Sequence, residues 1–212
     1  MSRTVRVKIC GIMNEQIAGA AVAAGADALG FVFAQSRRQV SPVKAREIIE
    51  TVPPFISRVG VFVNSSPQEV CDIVSYCGLD TVQLMHGEED PANYRDLLGG
   101  SVKVIISCRV KDDESVRSVL NYPADAYLFD TYKKGLPGGT GEVFDWRILN
   151  KFTFPAPLIL AGGLNIENVA QAVQEVKPYA VDVSSGVETV GMKDIEKIKT
   201  FIKQAKGVHI ND

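Results

Sequence analysis

Short runs of consecutive apolar residues recur along the chain, separated by longer stretches in which apolar and polar residues follow a helical period. Unbroken apolar runs rich in Val, Ile and Leu are typical of parallel strands that are covered on both faces. Successive runs begin 22 to 32 residues apart, which leaves room for a helix between neighbouring strands. The predicted strands begin near Val5, Asp27, Ser57, Leu79, Val102, Ala124, Ala156 and Tyr179.

Capping residues mark the start of several amphipathic stretches. Ser41-Pro42, Ser66-Pro67 and Asp90-Pro91 each place a hydrogen-bond acceptor ahead of a Pro that suits the first helical position. Asn165 is predicted to cap the helix after the seventh strand. The chain is therefore predicted to consist of eight strand-helix units.

This alternation belongs to the α/β class, and it predicts a single (β/α)8 barrel, the TIM-barrel architecture, over residues 1–212. No change of composition and no Ser- or Gly-rich linker divides the chain into two domains. An open, doubly wound parallel sheet is the alternative. Its dinucleotide-binding form is disfavoured because no G-x-G-x-x-G motif follows the first strand.

Charge and composition narrow the range of partners. The chain carries 23 Lys and Arg against 25 Asp and Glu, a formal net charge of −2, with 46% hydrophobic residues. Such a composition is that of an ordinary globular protein, and it offers no broad basic field for nucleic acid. The apolar runs are interrupted by Pro or Gly and are too short to cross a bilayer, so we expect no membrane partner.

The cysteines indicate a reducing environment. Cys10, Cys71, Cys77 and Cys108 form no C-x-x-C pair and follow no export signal, so we expect free thiols in the cytoplasm. The two histidines are too few for a site with several histidine ligands. Cys71 and Cys77 are expected to be small core residues, and no metal site is predicted.

Polar residues follow almost every predicted strand. Active sites of (β/α)8 barrels lie at the C-terminal ends of the strands, so these residues are expected to converge on one rim. In chain order the strand ends are Cys10-Gly11, Phe33 with the loop to Arg38, Asn64, Gln83 to Gly87, Ser107-Cys108-Arg109, Asp130, Gly162-Gly163 and Ser184-Ser185-Gly186.

The last two strand ends predict a phosphate site. Gly162 and Gly163 close the seventh strand, and Ser184, Ser185 and Gly186 close the eighth. Glycine lets backbone N–H groups approach phosphate oxygens, and this fold commonly binds phosphate at these two ends. The alternative is that the glycines only form tight turns. Because two adjacent ends share the feature, we expect a small phosphorylated ligand.

Two further strand ends carry groups that could transfer protons. Cys10 ends the first strand near Lys8, which is expected to lower the pKa of the thiol and make it a base or nucleophile. A buried structural cysteine is the alternative. Asp130 follows three apolar residues at the end of the sixth strand, where burial would suit a general acid, although a cap or an ion-pair partner is also consistent. Only two strands separate these ends around a ring of eight.

Two loops complete the expected rim. Gly138, Gly139, Thr140 and Gly141 lie in a long glycine-rich loop after Asp130, which is predicted to be a lid over the ligand. Contact with the phosphate is a second possibility, and a plain flexible loop is the alternative. After the second strand, either Arg37 or Arg38 could bind a carboxylate or phosphate.

Segments in order along the whole chain carry a family resemblance. They are Val7–Ile12 (VKICGI), Gly30–Phe33 (GFVF) with Ser36–Arg38 (SRR) and Val40–Pro42 (VSP), Gly60–Asn64 (GVFVN), Val82–Leu84 (VQL) with His86–Glu88 (HGE), Gly138–Gly141 (GGTG) with Phe144–Trp146 (FDW), and Val181–Glu188 (VDVSSGVE). Together they resemble the phosphoribosylanthranilate isomerase family. The resemblance implies a (β/α)8 barrel of the ribulose-phosphate-binding type that performs an Amadori rearrangement in tryptophan biosynthesis without a cofactor.

The resemblance also assigns roles to residues. It implies that Cys10 is the general base, Asp130 the general acid, and Arg38 rather than Arg37 the group that binds the anthranilate carboxylate. Substrate contacts are further implied for Gln83 and His86, and phosphate contacts for the glycines after the seventh strand and for Ser184-Ser185-Gly186.

Two positions depart from the family pattern. Met85 stands between Leu84 and His86, and an extra strand residue reverses the facing of its neighbours unless a bulge absorbs it, which affects Gln83 and His86 together. Ile106 replaces a usual lysine, so a positive charge near the mouth is expected to be missing.

Two other functions are considered beside the isomerase. The Amadori isomerase of histidine biosynthesis relies on two aspartates, whereas the first strand here ends in Cys10. A phosphate-binding barrel with weakened catalysis would be supported only by Met85 and Ile106. The sequence leaves both a monomer and a homodimer open.

Overall fold

A computed structural model describes residues 2–85, 90–131 and 146–211. The strands are β1 (Ser2–Thr4), β2 (Arg6–Cys10), β3 (Ala28–Val32), β4 (Ser57–Phe62), β5 (Thr81–Met85), β6 (Lys103–Val110), β7 (Ala126–Thr131), β8 (Leu158–Leu160), β9 (Ala180–Val183), β10 (Glu188–Thr189), β11 (Met192–Lys193) and β12 (His209–Asn211). The α-helices are α1 (Glu15–Ala23), α2 (Pro42–Glu50), α3 (Pro67–Cys77), α4 (Pro91–Leu98), α5 (Asp113–Leu120), α6 (Val169–Val176) and α7 (Ile195–Lys206).

Strands β2 to β9 form a closed parallel barrel in chain order. The ring closes where β9 pairs with β2, with Arg6 opposite Ala180 and Lys8 opposite Asp182. The predicted (β/α)8 barrel is confirmed, and the open-sheet alternative was wrong. In the described part of the connection between β7 and β8, a 3-10 helix at Trp146–Lys151 stands where the pattern predicted an α-helix.

The predicted helix starts agree with the structure at three of four places. Ser41, Ser66 and Asp90 each accept a hydrogen bond from the first turn of α2, α3 or α4, with Pro as the first helical residue. The prediction for Asn165 was wrong, because α6 begins only at Val169. The Asn165 side chain instead accepts from the backbone N–H groups of Glu167 and Asn168 and closes a turn ahead of the helix.

Side chains alternate between two environments along each barrel strand. The outward set packs against the helices in the main core, which includes fully buried residues such as Ile9, Phe31 and Ile106. The inward set forms a second, smaller apolar cluster: Val59, Ile105, Ala126, Leu128, Ile159, Ala161 and Ala180. Buried polar side chains, among them Lys8, Gln83 and Asp182, also occupy the barrel interior.

No helix in the described ranges combines the length and the apolar character needed to cross a membrane.

Candidate active site at the barrel mouth

Cys10 lies at the C-terminal end of β2, with its side chain buried in the barrel. Its partner in the β3 ladder is Gly30. A Cβ atom at Gly30 would lie 2.9 Å from Cys10 Sγ and 3.2 Å from Lys8 Cε. The sulfur and the lysine side chain therefore occupy the space that the glycine leaves open.

Lys8 is held from two other strands. Its Nζ donates to Gln83 Oε1 of β5 at 2.9 Å and to Asp182 Oδ1 of β9 at 3.0 Å, and all three side chains are buried. A buried lysine requires such partners because an unpaired charge in the interior is very costly. The network therefore fixes a positive charge beside Cys10.

The expected lowering of the pKa of Cys10 is not found. Burial raises the pKa of the thiol, and this outweighs the opposing effect of Lys8, while Asp182 raises the pKa further. The prediction was wrong because the sequence places the lysine but does not show how far the sulfur is withdrawn from water. Burial also acts to lower the pKa of Lys8, but Asp182 and Cys10 outweigh it, so the pKa is raised and the ammonium form favoured.

Met85 does not displace Gln83. The β5 and β6 ladder runs without interruption from Thr81 opposite Lys103 to Met85 opposite Ser107. Gln83 consequently faces the interior, where it meets Lys8. His86, whose facing was in doubt with that of Gln83, lies outside the described residues.

Ile106 faces the helices and not the barrel mouth. It is fully buried in the main core, whereas Ile105 on the opposite face of the strand belongs to the interior cluster. The expectation that Ile106 removes a charge from the mouth was therefore wrong, since the strand places position 106 on the outer face. Cys108 also faces outward, where its Sγ donates to the Ser115 carbonyl oxygen and burial raises the pKa of the thiol to about 11.

Arg38 lies against the backbone that follows Cys10. A Cβ atom at Gly11 would approach Arg38 Cδ to 2.7 Å, and Gly11 has a φ of 84°. The Arg38 guanidinium makes two bonds to Glu188, at 2.6 Å from Nε and 3.0 Å from an Nη atom. The Arg37 side chain, 58% exposed against 21% for Arg38, binds the same carboxylate.

Glu188 connects Arg37 and Arg38 to the turn after β9, the eighth strand of the barrel. Burial alone would raise its pKa, but Arg38 and Lys193 hold the pKa at about 2. Lys193 Nζ donates to Glu188 at 2.8 Å and to the Ser184 carbonyl at 3.0 Å, and Ser184 Oγ donates to the Cys10 carbonyl at 3.1 Å. Three cations therefore surround one carboxylate beside the mouth.

The two glycine-bearing strand ends meet as predicted. A Cβ atom at Gly186 would overlap the carbonyl group of Leu164, so the turn after β9 packs directly on the turn after β8. Gly162 and Gly163 adopt φ values of 82° and 68°, and Ser185 is exposed at the start of the 3-10 segment Ser185–Val187. Backbone and hydroxyl groups of both turns are thus gathered at one edge of the mouth.

Asp130 occupies the same end of the barrel. It is half-buried near the end of β7, opposite Arg109 in the ladder, and it continues the inward-facing series of Ala126 and Leu128. Strands β8 and β9 separate it from Cys10 around the ring, as the sequence predicted. The predicted lid residues Gly138, Gly139, Thr140 and Gly141 lie outside the described residues.

The sequence assigned no role to Asp182, Glu188 or Lys193. Asp182 and Glu188 flank Ser184–Gly186, and the two-residue period of the strand would have placed Asp182 on the same face as Ser184. Lys193 had no comparable signal, because the β10–β11 hairpin that carries it was not predicted. Within residues 2–85, 90–131 and 146–211, no group of three or more His, Cys, Asp or Glu is placed to hold a metal ion.

Comparison with known proteins relates this geometry to one family. A family model described as N-(5'phosphoribosyl)anthranilate (PRA) isomerase matches residues 7–204. The N-(5'-phosphoribosyl)anthranilate isomerase of Desulforamulus reducens is 49% identical over 207 residues, covering 98% of each chain.

Solved structures extend the likeness to three dimensions. A crystal structure of phosphoribosyl anthranilate isomerase in complex with reduced 1-(o-carboxyphenylamino)-1-deoxyribulose 5-phosphate is 44% identical, with a TM-score of 0.82 over 96% of this chain and 100% of that one. A structure of monomers generated from the dimeric enzyme of Thermotoga maritima is 43% identical, with a TM-score of 0.81 at the same coverage. The resemblance drawn from the sequence is confirmed: the chain belongs to the N-(5'-phosphoribosyl)anthranilate isomerase family.

Proposed function

We propose that the chain catalyses the Amadori rearrangement of N-(5-phosphoribosyl)anthranilate to 1-(2-carboxyphenylamino)-1-deoxyribulose 5-phosphate in tryptophan biosynthesis. The observation that carries this proposal is the placement of Cys10 and Asp130 at one end of the barrel interior, two strands apart, in a chain that matches the family from residue 7 to residue 204. The relative bound to the reduced product supports the substrate class.

Two side chains suffice for the proton transfers. Asp130, when protonated, donates to the furanose ring oxygen, the ring C–O bond breaks, and a Schiff base forms. The thiolate of Cys10 then removes the proton from C2, and the resulting enolamine tautomerises to the ketone. A thiol whose pKa is raised is a stronger base once it is ionised, so burial of Cys10 favours the second step although it reduces the resting thiolate fraction. No cofactor enters this sequence.

Substrate binding is assigned to the cationic side of the mouth. Arg37, Arg38 and Lys193 outnumber Glu188, which gives this region a net positive charge suited to an anionic ligand. Arg38 would bind the anthranilate carboxylate. Gly162, Gly163, Ser184, Ser185 and Gly186 would bind the 5-phosphate through backbone N–H and hydroxyl groups.

Gln83 and His86 are also assigned to the substrate. The Gln83 carbonyl oxygen accepts from Lys8, which leaves its amide NH₂ as the group that would contact the ligand. The loop of Gly138, Gly139, Thr140 and Gly141 would act as the lid.

The direct test is an assay of the purified chain with phosphoribosylanthranilate. The anthranilate group makes the substrate fluorescent, so the rearrangement is followed as a loss of fluorescence. Decay that depends on the enzyme supports the proposal, whereas intact substrate with no decay would overturn it. The histidine-pathway substrate, assayed in parallel, tests the alternative that relies on two aspartates. Of the two departures that would support a weakened barrel, Ile106 lies outside the mouth and Gln83 keeps its facing, while His86 lies outside the described residues.

A homodimer is proposed for the assembly, since the Thermotoga maritima relative is dimeric. Phe55 is fully exposed at the N-terminal end of the barrel, opposite the catalytic face, and lines a cavity of about 540 Å³ there together with Val59, Ile105 and Tyr179. An exposed large aromatic side chain beside such a cavity suits a second copy of the chain. Sedimentation velocity should show a dimer that Phe55→Asp dissociates, and a monomeric parent chain would contradict the assignment.

The cytoplasm is the proposed compartment. A base that works as a free thiolate needs reducing conditions, and all four cysteines are free in the structure.

A further inference from the structure

We propose that Lys8, fixed by Gln83 and Asp182, is a positioning residue whose positive charge stabilises the thiolate form of Cys10 at the barrel mouth against the opposing effect of burial. The role in catalysis rests on the proposed function of Cys10 as the general base. The coupling between the two side chains does not depend on that function, because it is a property of the unliganded protein.

Geometry places the charge of Lys8 beside the sulfur. Lys8 and Cys10 stand two residues apart on β2, so both side chains face the interior. Lys8 Cε and Cys10 Sγ both lie within 3.2 Å of one point, the position that a Cβ of Gly30 would occupy. Tight packing in this space limits how far either side chain can move from the other.

Both partners of Lys8 accept a hydrogen bond from its ammonium group, but only one of them carries a negative charge that offsets the positive charge of Lys8. Gln83 is uncharged and supplies an acceptor at 2.9 Å, whereas Asp182 supplies a full negative charge at 3.0 Å. Lys8 therefore favours the negative charge of the thiolate, and Asp182 opposes it. The two groups act on one sulfur with opposite signs.

Other charges near the mouth are anchored elsewhere. Lys193 and Arg38 are bound to Glu188, and the Ser184 hydroxyl is bound to the Cys10 carbonyl oxygen. The positive charge of Lys193 also favours the thiolate form of Cys10. Among the described residues, the charged groups that act on Cys10 are Lys8 on β2, Asp182 on β9 and Lys193 on β11. Arg38 in the loop after β3, Glu188 on β10 and Asp130 on β7 are further charged groups at this end of the barrel.

The experiment titrates the Cys10 thiolate by its ultraviolet absorbance in the folded protein. Each chain is compared with the same chain carrying Cys10→Ser, so the difference isolates one thiol. We expect Lys8→Met to raise the midpoint and Asp182→Asn to lower it. The expected size is about one pKa unit, which is about tenfold in the thiolate fraction below the midpoint.

Opposite shifts distinguish a positioning role from a merely structural one. Loosening of the barrel would admit water, relieve the burial that raises the pKa, and lower the midpoint in both variants. A midpoint in Lys8→Met that is unchanged or lowered would overturn the proposal. Lys103→Met is the matched control, since Lys103 is an exposed strand lysine paired with Asp125, and its midpoint should equal that of the parent chain.

Lys8→Met leaves Asp182 buried without its cation, which can prevent folding. The double variant Lys8→Met/Asp182→Asn removes both charges, and its midpoint should lie above that of Asp182→Asn. Equal midpoints in these two chains would also overturn the proposal.

Turnover gives a second, separate measurement. In an active parent enzyme, Lys8→Met should move the acidic limb of the kcat profile to higher pH with little change in KM, in step with the thiolate midpoint. If the parent chain showed no turnover, the proposed function would be wrong. The titration of the Cys10 thiolate would still show whether Lys8 affects it.

Discussion

Gly30 lies directly opposite Cys10 in the β2–β3 ladder, and a Cβ atom added to it would stand 2.9 Å from the Cys10 sulfur. Real Cβ atoms are not found at that distance from a neighbouring heavy atom, so any larger residue at position 30 must displace the thiol. The backbone of Gly30 also accepts hydrogen bonds from the N–H groups of Gly11 and Ile12. One glycine therefore fixes both the space around the proposed base and the turn that follows it.

Gly30→Ala should impair catalysis more than folding. The added methyl group pushes Cys10 Sγ and Lys8 Cε away from their positions, and a displacement of about 1 Å in a catalytic group can cost about 100-fold in rate. We expect kcat/KM to fall by about 10- to 100-fold. Gly19→Ala in α1 is the control, because a Cβ there meets nothing within 4 Å. It should leave kcat unchanged and add about 0.5–1 kcal/mol of stability. Equal kinetics in the two variants would contradict the argument.

Cys10→Ala should abolish most of kcat with a modest change in KM. A positioned general base contributes about 10²- to 10⁴-fold, and it acts mainly in the transition state. Cys71→Ala is the control, since Cys71 is a half-exposed thiol of α3 whose Sγ donates to the Leu97 carbonyl oxygen. Single-substrate kinetics by fluorescence measure both parameters, and near-full kcat in Cys10→Ala would refute the assignment.

Asp130→Asn keeps the size of the side chain and removes the acid. The furanose ring would then have to open without a proton donor for its ring oxygen. We therefore expect kcat to fall by about 10²- to 10⁴-fold while KM changes little. Asp125→Asn offers a contrast at the opposite end of the same strand, since Asp125 precedes the N-terminal end of β7 and pairs there with Arg95 and Lys103. That variant should lose stability and keep its kcat.

The barrel and the location of the mouth were predictable because they depend on local patterns. Apolar runs of strand length and Ser-Pro or Asp-Pro caps specify elements within a few residues, and eight consecutive strand-helix units are typical of the barrel. The strand ends then follow. The Asn165 prediction failed because a capping residue closes a turn as readily as it starts a helix.

The charge relationships of the site could not be predicted in the same way. Lys8 meets Gln83 and Asp182 across separations of 75 and 174 residues, and Arg38 meets Glu188 across 150. Such ion pairs and hydrogen bonds depend on which side chains point to the same face of the sheet and lie at the same level along the barrel axis. The direction of the pKa shift of Cys10 was predicted wrongly for a related reason. The shift depends mainly on burial, and the sequence showed only the nearby lysine.

Glu188 should make stability depend on pH in acid. Its pKa in the folded protein is about 2, against 4.5 for the free side chain, so its contribution is fully present above about pH 4.5 and is lost as pH falls towards 2. The contribution is on the order of 2–3 kcal/mol. Glu188→Gln should therefore lower the free energy of unfolding at about pH 6 and approach the parent value in strong acid. Denaturant unfolding at several pH values measures the difference. The exposed Glu47→Gln should track the parent at every pH.

Arg38 and Arg37 bind the same carboxylate, yet only Arg38 should affect substrate affinity strongly. Arg38 lies against Gly11 next to Cys10 and is largely covered, whereas Arg37 is mostly exposed and contacts Glu188 from the solvent side. A charge-assisted bond to the anthranilate carboxylate is worth about 1.5–3 kcal/mol, so Arg38→Met should raise KM by about 10- to 100-fold with a smaller effect on kcat. Arg37→Met removes an equal charge and should raise KM only a few-fold, because an exposed cation acts on the ligand through water. Raised salt should reduce the small effect of Arg37→Met and leave most of that of Arg38→Met. Equal KM values in the two variants would mean that the arginines act only through their common charge, and the carboxylate contact would have to be reassigned.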